Sequence, residues 1–287
     1  MSQQVVRDFR ENESLRHGFD ALAQQVFGIS FEAWYRQGYW TDRYRPYLLV
    51  QDGLPVACAA ANLQDLWWGG RMRRCIQIGT VMTAPAARGQ GFARQLIKEI
   101  LQDWETAAEL IFLFANPAAV TFYEALGFMR QPEYRWLSPA LPGGRCEAVP
   151  LDLSRADGRS LLWSHTLEGN PFSALTLHRG YELLLFHLMQ NPALQVVFLP
   201  RADTVAVLQQ QADQLCCLEL FGGRGTLAQV LGQLGHTGPL ALGFTPLEPD
   251  GFLAQKAADT DPLLVLPRDE LPPFAARQLC LSPLSHC

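Results

Sequence analysis

Residues 75–93 read CIQIGTVMTAPAARGQGFA. An apolar run from Cys75 to Met82 leads to Pro85, and a short loop then carries Arg88-Gly89-Gln90-Gly91. Beyond it Phe92, Leu96, Ile97, Ile100, Leu101 and Trp104 recur at helical spacing. The pattern predicts strand, glycine loop and helix. That order aims the unpaired N–H groups of a helix's first turn at an anion. Glycines let a ligand approach the main chain closely, because no Cβ intervenes. The plainer alternative is a tight strand-to-helix turn with no ligand.

The loop lacks the Gly-Lys-Ser/Thr ending of a nucleotide-triphosphate loop and the third glycine of a dinucleotide fingerprint. Arg88-x-x-Gly91-x-Ala93, preceded by Val81-Met82-Thr83-Ala84-Pro85, instead resembles the pyrophosphate loop of the GNAT superfamily of acetyl-CoA-dependent N-acyltransferases. Residues 115–128 read ANPAAVTFYEALGF. There Asn116 predicts a cap on a helix that begins at Pro117, and Gly127 its C-terminal stop. The stretch resembles the second GNAT signature, an asparagine followed by a helix ending Phe-Tyr-x-x-x-Gly-Phe.

The resemblance implies an α/β fold with a mixed sheet and acetyl-CoA as acyl-donor substrate. It implies that Val81, Met82 and Thr83 line the donor, with a backbone N–H near Met82 facing the developing oxyanion. Arg88, Gly89, Gln90, Gly91, Phe92 and Ala93 would hold the pyrophosphate, and Asn116 the pantetheine arm. Tyr123 would be the general acid that protonates the departing thiolate; the bland reading of Tyr123 is a core tyrosine. It also implies that strands 75–83 and 110–115 splay apart to admit the pantetheine. One departure stands out. Many relatives place a glutamate on the strand before the loop, whereas this strand carries Gln77 and no acid, so the base must come from elsewhere or through water.

Local signals agree with a sheet around this unit. Asp52-Gly53 and Gly69-Gly70 each separate two apolar runs and predict hairpins. Strand 75–83, helix 91–104 and the continuous apolar run at 110–115 predict a right-handed βαβ crossover. Residues 27–47 are rich in aromatic side chains. Trp34, Tyr35, Trp40 and Asp42 are candidates for an acceptor wall that holds a cation over ring faces; packing of helices on the sheet is the alternative.

The loosened stretch at 139–144 suggests a boundary, with a GNAT domain over 1–150 and Cys146–Leu153 as its last strand. In 151–287 the pattern predicts a helix at 181–190. It predicts strands at 196–199, 205–209, 215–221, 240–244 and 263–266, and a helix at 227–234 after Gly222-Gly223-Arg224-Gly225. Strands, glycine turn, helix and strand repeat the logic of the first half and suggest a degenerate second GNAT-like domain. The spacing around Arg224 lacks the Arg-x-x-Gly-x-Ala pattern, so a plain turn without cofactor is expected there. If the chain end reaches the cleft, His286 or the terminal carboxylate would supply the missing base.

The net charge of −5 opposes a nucleic-acid partner. No apolar run reaches the roughly 18 residues of a membrane span, and residues 1–8 show no apolar signal core, so a cytoplasmic protein is expected. The cysteines show no Cys-x-x-Cys spacing, which indicates neither metal nor redox pair. The expected function is N-acetyl transfer from acetyl-CoA to a primary amine of a small-molecule or peptide acceptor. The alternatives are a CoA-binding regulatory module without catalysis and, less favoured, a nucleotide- or phosphate-binding protein.

Overall fold

The computed structural model describes residues 2–138, 145–211, 214–258, 260–268, 270 and 272–286. The loosened stretch at 139–144 and Cys287 lie outside the described residues. The strands are β1 (Gln3–Val6), β2 (Tyr44–Gln51), β3 (Leu54–Trp68), β4 (Arg71–Thr83), β5 (Leu110–Phe114), β6 (Met129–Gln131), β7 (Tyr134–Ser138) and β8 (Val149–Pro150). They continue with β9 (Thr176–His178), β10 (Leu194–Leu199), β11 (Thr204–Gln211), β12 (Gln214–Phe221), β13 (Leu240–Leu242), β14 (Leu253–Lys256) and β15 (Leu263–Val265). The helices are α1 (Glu13–Phe27), α2 (Glu32–Arg36), α3 (Phe92–Trp104), α4 (Val120–Glu124), α5 (Ala156–Glu168), α6 (Tyr181–Gln190) and α7 (Leu227–Gly232).

The first sheet has the order β1-β2-β3-β4-β5-β15-β6, with β9 on the outer end of β3. Both expected hairpins form. Asp52 and Gly53 take φ 48° and 83°, and Gly69 and Gly70 take φ 64° and 80°, the left-handed pairs that match strand twist in a two-residue turn. Period-two alternation splits β2 between two cores. Tyr47 and Leu49 pack under α3, while Tyr44, Leu48 and Val50 pack under α1 and α2. α3 crosses from β4 to β5, which run parallel through Cys75–Gln77 and Leu110–Phe112.

The second sheet, β14-β7-β13-β12-β11-β10-β8, repeats the plan. β10, β11 and β12 are antiparallel, α7 follows, and β13 returns parallel to β12. It carries cores on both faces.

Each sheet is completed by a strand from the other half of the chain. β15 lies antiparallel between β5 and β6. β7 lies antiparallel between β13 and β14. The expectation that 263–266 is a strand of the second half is therefore corrected: Leu264 is fully buried in the first core. The expected last strand of the first domain, 146–153, is also corrected. Only Val149–Pro150 is extended, and it pairs with β10 at the edge of the second sheet. Pro150 has no N–H to offer a further neighbour, which suits an edge. Side chains pin the halves as well: Trp34 Nε1 donates to the Glu182 carbonyl at 2.7 Å, and Trp136 Nε1 to that of Gln278 at 3.1 Å.

Replacement of Leu264 by alanine should destabilise the first half although the residue lies over a hundred positions beyond it. A loss of about 2–5 kcal/mol is expected for a fully buried leucine, measured by urea unfolding. A fragment of residues 1–150 lacks β15, and it should show no cooperative unfolding transition in the same assay.

Candidate functional site: a cleft where two parallel strands part

The parallel ladder of β4 and β5 stops at Gln77 and Phe112. Its end coincides with a bulge. Between the pairs Met82–Cys58 and Gly79–Ala60, Thr80 and Val81 face the single residue Ala59. Thr80 takes φ 50°, a left-handed conformation that costs a β-branched residue on the order of 1–3 kcal/mol. The Tyr44 hydroxyl donates to Thr80 Oγ1 at 3.0 Å and helps hold it. A bulge bends its strand and ends regular pairing, so β4 turns away while β5 takes β15 as its other neighbour. The sequence analysis did not single out Thr80; Gly79 inside an otherwise apolar strand is the signal that could have found it.

A cleft of about 350 Å³ opens at the parting. Gln77, Thr80 and Val81 line it from β4, Phe114 and Asn116 from β5 and its end, and Tyr123 from α4. His286 of the C-terminal segment lines it too. Tyr123 is 7% exposed, its ring rests edge-on against Phe122 and Phe128, and its hydroxyl has no hydrogen-bond partner among the described residues. Burial pushes its pKa up to about 12. Asn116 caps the turn at Pro117–Ala119, with Oδ1 accepting from the Ala118 N–H at 2.9 Å. The expected C-terminal stop shifts slightly: Ala125 is the C-cap of α4, and Gly127 follows with φ 94°. The Gln77 amide is engaged, accepting from Asn62 Nδ2 at 2.6 Å and donating to the Ile78 carbonyl at 2.7 Å.

His286 packs on Phe114 with centroids 4.4 Å apart, and its ring lies 6.1 Å from that of His187. His286 Nδ1 and His187 Nε2 are buried with no hydrogen-bond partner among the described residues. Burial lowers both imidazoles to a pKa of about 4, so both are neutral at pH 7. The terminal carboxylate considered as an alternative base belongs to Cys287 and lies outside the described residues.

The glycine loop follows the C-terminal end of the same strand. A groove of about 330 Å³ runs over Thr83, Arg88, Gly89, Gly91, Ala93 and Phe122. α3 begins after Gly91 with no side-chain cap, so its first N–H groups are free for a ligand. Gly89 and Gly91 take φ 79° and 82°, and a Cβ on either would meet no protein atom within 4 Å. The room is on the outside, where a ligand would lie. The corresponding turn in the second half is filled. A Cβ on Gly222 would lie 2.8 Å from His165, and one on Gly223 2.4 Å from Thr204 Oγ1. The N-terminus of α7 is closed by a capping box between Thr226 and Gln229. The loop over 88–93 therefore fits a pyrophosphate, and the turn over 222–226 does not.

Met82 is 2% exposed and packs in the core under α1 and α2, so only its main chain faces the parting; Val81 and Thr83 flank it. Trp34 and Trp40 are each 4% exposed in a cluster with Phe19, Phe31, Tyr44 and Phe186. Tyr35 lies under the Arg16 guanidinium, 3.9 Å from ring centroid to Cζ. Asp42 accepts from Arg10 Nη1 at 3.2 Å on the surface. Tyr35, Trp40 and Asp42 share a shallow groove, and none of the four candidates lines the cleft of Tyr123. Among the described residues no group of three or more His, Cys, Asp or Glu side chains could hold a metal ion. No helix is long and apolar enough there to cross a membrane.

Comparison with known proteins agrees with this geometry. Residues 9–130 match the model of the acetyltransferase (GNAT) domain. No curated protein matches the chain in sequence. Among solved structures, a probable N-acyltransferase from Enterococcus faecalis is similar with a TM-score of 0.60 at 15% identity, over 92% of this chain and 72% of that one. Eis1 from Mycobacterium abscessus is similar with a TM-score of 0.59 at 15% identity, over 91% and 73%. A GCN5-related N-acetyltransferase from Kribbella flavida gives 0.56 at 16% identity, over 92% and 71%. At such identities the likeness shows the fold, and it extends over both halves. The loop, the parted strands and the family match agree that residues 9–130 are a GNAT-family acetyltransferase domain, and the likeness of fold to GNAT structures continues through the second half, whose glycine turn is filled.

Proposed function

We propose that the chain transfers an acetyl group from acetyl-CoA to a primary amine by direct attack. The observation that carries this reading is the pairing of an open glycine cradle with an unpartnered tyrosine in a cleft between parted strands. The pyrophosphate would sit on the main chain of Arg88 to Ala93, where the helix dipole and free N–H groups favour an anion. Arg88 and Arg94 line the same groove and add charge. The pantetheine arm would run along the edge of β4 over Val81, Met82 and Thr83, which β5 leaves unpaired. The Asn116 side-chain N–H₂ would meet the arm while its oxygen stays in the cap.

The neutral amine attacks the thioester carbonyl. A nitrogen–carbon bond forms, and the carbonyl π pair moves to oxygen, near a main-chain N–H of β4 around Met82. The attached nitrogen is now far more acidic than a free ammonium, so a weak base suffices to take its proton. We assign that base to His286, whose buried Nδ1 lacks a partner. Collapse expels the thiolate, and Tyr123 gives it a proton. The imidazolium then returns its proton to the tyrosinate through solvent. Gln77, held at both ends of its amide, takes no part in proton transfer.

Gly91→Ala should test the cradle. The left-handed φ makes the variant about 1–2 kcal/mol less stable, yet the methyl group meets no protein atom. Calorimetry should show folded protein with CoA affinity lowered tenfold or more; unchanged affinity would remove the pyrophosphate from this loop. The wild type should bind one CoA per chain.

Tyr123→Phe should lower kcat by roughly 10²–10⁴ with little change in CoA affinity. With base and acid titrating at about 4 and about 12, His286 is deprotonated above the first value and Tyr123 protonated below the second. kcat should therefore stay flat from mildly acidic to alkaline pH, while kcat/KM rises with pH as the acceptor amine loses its proton. A fall in kcat on acidification through pH 6.5 would show an imidazole ionising at its ordinary value and would contradict the buried His286.

A further inference from the structure

The exchange of β7 and β15 takes the chain from one sheet to the other just before β7 at residues 132–133 and again between β14 and β15. The crossings touch, with the Ala257 N–H donating to the Glu133 carbonyl at 2.8 Å. A second cavity, about 300 Å³, lies against them. It shares two wall residues, Phe114 and His286, with the cleft of Tyr123. The two cavities thus meet at Phe114 and His286.

The walls are mixed, with Leu218, Ala241 and Leu284 beside Asn191, Gln209 and Gln211. Among the described residues, the titratable and charged groups that line it are Glu133, Tyr134, Arg135 and Asp261 from the crossings and β7, His187 from α6, and His286, together with the thiols of Cys216 and Cys280. Both histidines are neutral, and burial pushes the two thiols up, so two carboxyl groups stand against one guanidinium. Glu133 is the inner of the two. One of its oxygens accepts from the Leu281 N–H at 3.1 Å, and among the described residues it forms no ion pair. Burial pushes its carboxyl up to about 7. A carboxylate in such a place is costly without a partner, and a ligand cation returns that cost.

We propose that this cavity holds the acceptor, and that Glu133 binds a second, cationic group of a molecule whose reacting amine points toward His286. The acceptor class is a diamine or an amine with a remote ammonium group. The inference rests on the acyl-transfer reading above.

The test compares 1,3- to 1,8-diaminoalkanes with n-alkylamines of equal length, using CoA thiol release from acetyl-CoA by the full chain. The wild type should favour at least one diamine over its monoamine by roughly ten- to a hundredfold in kcat/KM, the range of one charge-assisted hydrogen bond. In Glu133→Gln that ratio should fall toward one, and Glu133→Asp should recover part of it. Arg135→Gln removes the competing cation and should raise the ratio, which keeps the test open if Glu133→Gln does not fold. A ratio near one in the wild type, a ratio that survives Glu133→Gln, or one that falls in Arg135→Gln would overturn the assignment. Turnover of monoamines without any preference would leave acyl transfer standing and remove only this cavity's role. CoA binding by calorimetry with turnover of no amine would remove both.

Discussion

The exchange of one strand between the two sheets is the constraint from which the rest of the molecule follows. β5 pairs with β4 along one edge as far as Gln77, and its opposite edge is filled by a strand from the far end of the chain. Leu263, Leu264 and Val265 are all buried. At about 1.5–3 kcal/mol for each buried aliphatic side chain, the insertion is worth several kcal/mol, comparable with the net stability of a whole domain. The same insertion brings the segment after β15 back over the first sheet. Phe274, Leu279 and Leu281 then pack beside Phe112 and Val265, and His286 ends on the wall of the cleft. Completion of the fold and placement of a titratable group at the site are thus one event.

The two glycine turns show why a motif must be read with its surroundings. Both connect a strand to a helix, and both contain left-handed glycines. At Gly89 and Gly91 the missing side chain leaves free space beside uncapped N–H groups. At Gly222 and Gly223 it leaves room for His165 and Thr204 to pack. The first helix has thirteen residues and an open N-terminus. The second has six and closes its own with Thr226 and Gln229. One architecture, used twice, leaves the turn open in one copy and fills it with side chains in the other.

Much of the first half was legible because its signals are local. Asp52-Gly53 and Gly69-Gly70 specify turns without reference to anything distant. The stripe from Phe92 to Trp104 specifies a helix, and Val81 to Ala93 specifies the loop that joins it to β4. The partners of strands were not legible. The run at 263–266 reads as a strand in any sheet, and its place between β5 and β6 is decided by a gap that only the assembled first sheet presents. For the same reason 134–138 gives no sign that it belongs to the other sheet. Cys146 to Leu153 contains apolar residues, yet Pro150 and the following Asp152 turn, where Asp152 Oδ1 accepts from Ser154 at 2.9 Å, leave only two residues extended. The aromatic richness of 27–47 is spent mainly on a core: Phe31 stacks on Phe186 of the second half at 4.8 Å, a partner more than a hundred and fifty positions away.

The cleft is also notable for the charge it lacks. Tyr123 and His286 are both neutral over the physiological range, and Gln77 stands on β4 as a neutral amide. A carboxylate at Gln77 would have to be buried among Asn62, Ile78 and the sheet, at 2% exposure, where an unpaired charge is costly. A base drawn from the C-terminal segment, as proposed, would avoid that burden on the sheet. The proposed reaction would pass from neutral amine and neutral thioester through a charge-separated intermediate. A dry pocket with oriented donors stabilises such an intermediate more than water-filled space does, because fixed dipoles act undiluted at low dielectric. A buried imidazole of low basicity would suit the proposed reaction, since it would accept a proton only from a nitrogen already bonded to the acyl carbon.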